Sequence, residues 1–103
     1  MQPASLKSKV QRILLKGNFK KSESSKSRVK GLSNITAGFK FDKMWDDYYL
    51  FYTSGNMIHR GMSSEKRDEK TTVMFNYLTN QGLAENIEMT TLRSQQAILL
   101  KVN

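Results

Sequence analysis

Apolar residues recur along this chain with two periods, first helical, then alternating, then helical and alternating again. Leu6, Val10, Ile13 and Leu14 fall within about a third of a turn of one another, so residues 4–16 read as an amphipathic helix. Lys9, Arg12 and Lys16 line its flank. Pro3 suits the first turn of that helix and Gly17 the position just past its end. The pattern then changes to period two: Ile35, Ala37, Phe39 and Phe41 alternate with polar or small residues, as on a strand with one buried face.

The densest stretch follows. Residues 39–60 hold seven of the chain's ten aromatic residues. The run from Tyr48 to Thr53 meets Ser54-Gly55-Asn56, a turn signal, and resumes as Met57-Ile58-His59-Arg60, which predicts a hairpin. Tyr48, Leu50 and Tyr52 share one face of its first strand, while Tyr49, Phe51 and Thr53 share the other. Leu50 marks the first face as core. Tyr49 and Phe51 are then left as a surface platform, with Trp45 beside them in a connection spanning residues 42–47.

A second helix is expected over residues 64–80. Ser63 is its N-cap, Val73, Met74, Tyr77 and Leu78 its buried stripe, and Gly82 its left-handed terminator with Leu83 packing back. Its opening turns are charged all round. Two strands close the chain, residues 86–91 and 96–102, joined through Leu92-Arg93-Ser94-Gln95. The expected fold is a single α+β domain of order α-β-β-β-α-β-β. Five antiparallel strands carry the 64–80 helix on one face, with the N-terminal helix packed nearby.

Charge divides this picture. Residues 1–31 carry nine lysines and arginines and one acid, whereas residues 32–103 carry eight of each, so the whole net charge of +8 resides in the first third. The expected organisation is therefore a basic helix with a flexible Ser/Lys-rich arm over residues 1–31, joined to a neutral globular domain over residues 32–103. An acid-poor, Ser-rich start is also compatible with mitochondrial targeting, although lysine outnumbers arginine there by seven to two. No apolar run approaches the roughly 20 residues of a membrane span, and the absence of cysteine excludes disulfides and thiolate metal sites. An intracellular setting, cytoplasm or nucleus, is the expectation.

Motifs for catalysis are sparse. His59 is the single histidine, no nucleophile elbow, P-loop or zinc spacing occurs, and Asp42, Asp46 and Asp47 read as solvated acids more readily than as a magnesium site. The expected protein is not an enzyme and needs no cofactor or metal. The leading expectation is a nucleic-acid-binding module for DNA or RNA. Lys7, Lys9, Arg12, Lys16, Lys20, Lys21, Lys26, Arg28 and Lys30 would meet phosphates, and Tyr49, Phe51 and Trp45 would stack on bases. The alternative is a small protein-interaction module, an inhibitor or regulator such as a virus or phage encodes. It would dock through its aromatic sheet surface on a partner bearing an acidic patch. Homodimerisation is compatible with either. Gly38-Phe39-Lys40-Phe41 echoes the spaced aromatics of RNA-recognition motifs, but the β-α-β order of that family is absent.

Overall fold

A computed structural model describes residues 2–26, 33–55 and 62–102. The elements run in the order α1 (Pro3–Lys16), β1 (Ser24–Lys26), β2 (Ser33–Ile35), β3 (Gly38–Met44), β4 (Asp47–Thr53), α2 (Ser64–Leu78), β5 (Ile87–Leu92) and β6 (Gln95–Leu100). The main sheet has four antiparallel strands in the order β3-β4-β6-β5, and β1 with β2 forms a separate two-stranded ribbon. The five-strand sheet is thus corrected to four, and the element order to one with four strands between the helices. The strand expected at Met57–Arg60 lies outside the described residues, as do Arg28, Lys30 and His59.

Two strand boundaries moved for identifiable reasons. The alternating run through Ile35 and Phe41 divides at Thr36-Ala37, because Thr36 turns toward the 22–23 segment. Its backbone N–H donates to the Glu23 carbonyl at 2.8 Å, and its Oγ1 accepts from the Glu23 N–H at 2.9 Å. The expected connection over residues 42–47 is instead strand up to a two-residue turn, with Met44 paired to Asp47 and only Trp45-Asp46 between them. At the other end of the sheet Arg93-Ser94 joins β5 to β6 as expected, with Leu92 paired to Gln95. Both turn residues have positive φ, 52° and 64°, which matches the right-handed twist of the strands.

One core lies between the sheet and the two helices. Leu6, Val10 and Leu14 of α1 meet Phe39, Leu50 and Tyr52 of the sheet and Met74 and Leu78 of α2. The first helix is therefore packed into the core, against both the sheet and α2. The boundary expected at residue 31 lies outside the described residues. Residues 18–22, directly after α1, are tied to the sheet. Asn18 turns the chain with φ 66°, the Phe39 N–H donates to the Lys20 carbonyl at 2.8 Å, and the Ser22 N–H donates to the Phe39 carbonyl at 2.9 Å. The approach is close enough that a Cβ on Gly38 would stand 2.5 Å from the Ser22 nitrogen, so only glycine lets the 20–22 segment lie along β3.

Helix α2 begins as expected, with the Ser63 hydroxyl accepting from the Lys66 N–H at 3.2 Å. It ends two residues early, and the chain continues through a wider turn, Thr79–Leu83, in which Gly82 takes φ 89°. Leu83 then packs into the core beside Leu78. The buried positions are Thr71, Met74 and Leu78, whereas Val73 is 46% exposed. The rotation of the helix follows from what it fills. Strands β4 and β6 pair only over Tyr48–Leu50 with Leu100–Ile98. Beyond that point they part, and α2 inserts polar groups between them. Thr71 Oγ1 accepts from the Tyr52 N–H at 3.1 Å, and Asp68 Oδ1 accepts from the Gln96 N–H at 3.3 Å. Strand edges that lack a neighbouring strand are satisfied by helix side chains.

The parting of the strands lets the β5–β6 hairpin lean across the sheet. Arg93 at its tip reaches Asp42 on β3, with an Nη1–Oδ2 distance of 2.9 Å. Phe51, Leu92 and Ala97 close a second, smaller core on the face opposite the helices, with Met44 and Tyr49 packed against it.

Candidate nucleic-acid interface

The second core changes the reading of the sheet surface. The face of Leu50 and Tyr52 is the main core, as the alternation implied. The opposite face is not an open platform. Phe51 is 5% exposed and Tyr49 is half-buried beside it, so the Phe51 ring is not presented for stacking. Trp45 stands apart from both, at the β3–β4 turn, 90% exposed.

The basic residues separate into three groups. Lys9, Arg12 and Lys16 are exposed and lie within about 60° of one another around α1, at 100° per residue. Lys7 lies on the other side of the buried stripe and is held against the sheet, its Nζ 5.6 Å from the centre of the Phe41 ring and 5.5 Å from that of Tyr48. Lys43 approaches the same Tyr48 ring at 5.7 Å.

The third group forms a groove. The end of α1, the 17–23 segment, Thr36-Ala37 and the first turns of α2 enclose an open cavity of about 950 Å³. Lys20 and Lys21 enter from one wall, and Lys66 and Lys70 from the other, with Glu23 the one carboxylate among the described lining residues. Leu15, Phe19, Ala37, Tyr52 and Met62 supply its apolar surface. Each wall has a local cause. Lys20 and Lys21 are placed by the bonds of their segment to Phe39, and the Phe19 ring beside them packs against Tyr77 at 5.3 Å between centres. Lys66 and Lys70 are one helical turn apart and so share a side of α2. Among the described residues the ion pairs are Arg67–Asp68 and Arg93–Asp42, and none of the four groove lysines takes part in them. Burial raises the Tyr52 hydroxyl above its ordinary value of 10.0.

Of the expected phosphate contacts, Lys20 and Lys21 are brought together with two lysines that lie far away in sequence, while Lys9, Arg12 and Lys16 form a separate exposed row. Lys66 and Lys70 were missed. Their turns read as solvated charge, and the one available signal was the four-residue spacing of two lysines near the start of a helix. The acids do not converge: Asp42 is bound to Arg93, and among the described residues no three of histidine, cysteine, aspartate and glutamate approach as a metal would require. No described helix is long and apolar enough to cross a membrane.

The fold and groove together define a small α+β domain with a parted four-strand sheet, a helix wedged into it and a lysine-walled groove at one side. No family model, curated protein or solved structure matches the chain.

Proposed function

We propose that this protein is a non-catalytic nucleic-acid-binding module that holds its ligand chiefly by the phosphates. The observation carrying this reading is the groove itself, in which lysines from two separate segments face one space with a single carboxylate and no ion pair between them among the described residues. Like charges gathered without counter-charges repel one another. A polyanion relieves that repulsion and releases its own condensed counterions on binding. The exposed row of Lys9, Arg12 and Lys16 extends the positive surface along α1, whose end lines the groove through Leu15 and Gly17. The aromatic-sheet docking reading has less support, because Phe51 is enclosed.

Anisotropy of a labelled oligonucleotide, titrated between 50 and 200 mM salt, tests the proposal. Binding should weaken steeply with salt, and each phosphate-contacting lysine replaced by alanine should reduce the log–log slope by roughly 0.7–0.9. The combined Lys20→Ala, Lys21→Ala, Lys66→Ala and Lys70→Ala variant should therefore lose a slope of about three while melting as the parent does. An unchanged slope, or a preference for polyglutamate over nucleic acid, would reject the reading.

A further inference from the structure

The β3–β4 turn breaks two local rules at once. Its first central residue has φ 59°, a conformation that turns of this length ordinarily give to glycine, asparagine or aspartate, yet the residue is tryptophan. That tryptophan is 90% exposed, so the bulky side chain gains no burial in return. Local rules broken without a return in packing are expected at functional sites. Its surroundings indicate the ligand. On the helix-facing side of the sheet, Lys7 and Lys43 both stand over the Tyr48 ring, at 5.5 and 5.7 Å, three residues along from Trp45. Both acids of the strand pair, Asp42 and Asp47, lie on the opposite face, Asp42 bound there to Arg93. Asp46 borders the same small cavity as Lys43 and Tyr48. Two lysines against this one carboxylate leave the Lys7–Lys43 side net positive, which suits a phosphate.

We infer that Trp45 stacks on an unpaired base whose adjoining phosphate is met by Lys43 and Lys7, so that the ligand is single-stranded nucleic acid. The inference rests on the nucleic-acid reading above and deepens it: the groove binds charge, and the turn selects strands whose bases are free. A paired base within a duplex offers no open face to a side chain at a turn tip, whereas every unpaired base does.

Trp45 is the chain's one tryptophan, so its emission reports directly on the event. Three probes of about ten nucleotides are titrated: a single strand, an abasic strand that keeps the phosphates, and a duplex. The single strand should quench the emission at saturation, and the other two should not. Trp45→Gly suits the turn better than tryptophan and should leave the fold intact. It should weaken the single strand by roughly 5- to 150-fold, leave the abasic strand unchanged, and be rescued largely by Trp45→Phe. Salt-dependent binding of all three probes with unchanged emission would overturn the inference while leaving the phosphate reading standing, and would assign Trp45 to a partner of another class. If no probe binds, the nucleic-acid reading itself fails and this inference with it.

Discussion

Thr71 shows how much a single hydroxyl can organise. It is fully buried, donates to the Arg67 carbonyl at 3.3 Å, and accepts from the Tyr52 N–H where β4 no longer pairs with β6. Thr71→Val keeps the shape and removes the acceptor, leaving that N–H without a partner. It should cost about 1–3 kcal/mol in chemical denaturation. Thr71→Ser keeps the hydroxyl and loses one methyl, worth about 0.8 kcal/mol. A serine variant less stable than the valine variant would show that shape rather than hydrogen bonding holds the wedge. Tyr52 adds a pH signature. Its hydroxyl is raised above 10.0 by burial, so the unfolded chain releases the proton first as pH rises. The contribution is fully present below pH 10 and is lost as pH climbs through the folded value. The stability difference between the parent and Tyr52→Phe should accordingly shrink or reverse above pH 10, read by urea melts across that range.

At the scale of the element, α1 is the informative case. Leu6, Val10 and Leu14 are fully buried, whereas Leu15, one position on, is 47% exposed at the rim of the groove. Leu14→Ala should cost about 2–5 kcal/mol through lost transfer energy and the cavity left behind. Leu15→Ala should stay within about 0.5 kcal/mol, because little is removed from a packed environment. Equal losses would mean that α1 is rotated from the position described. The helical stripe was legible in the sequence because a 3.6-residue period and a wide apolar face leave one way to bury the helix. The phase of α2 was not. Apolarity pointed to Val73, but the helix turned to place Thr71 on the buried Tyr52 N–H, since an unsatisfied buried N–H costs more than an exposed valine.

For the whole molecule, charge acts over a longer range than packing. The row of Lys9, Arg12 and Lys16 has no part in the core, and alanine favours a helix at all three positions. The triple alanine variant should change stability by less than about 1 kcal/mol and lower the salt slope of oligonucleotide binding by roughly two. Retained slope with reduced affinity would place the row away from the bound strand.

Local pattern was sufficient for several elements: the two helices, the cap at Ser63, the left-handed backbone of Gly82, the β5–β6 hairpin, and the Leu50 face as core. These depend on neighbours within a few residues, where periodicity and backbone preference act directly. The concentration of positive charge in the first third was equally plain. Which lysines share a space was decided only in three dimensions, because Lys20 comes to line the same groove as Lys70 through the pairing of its segment with Phe39 and the seating of α2. The enclosure of Phe51 was decided there too. It follows from the parting of β4 and β6, which brings Leu92 and Ala97 over a ring more than forty residues away in the chain, and no local pattern encodes contacts of that span.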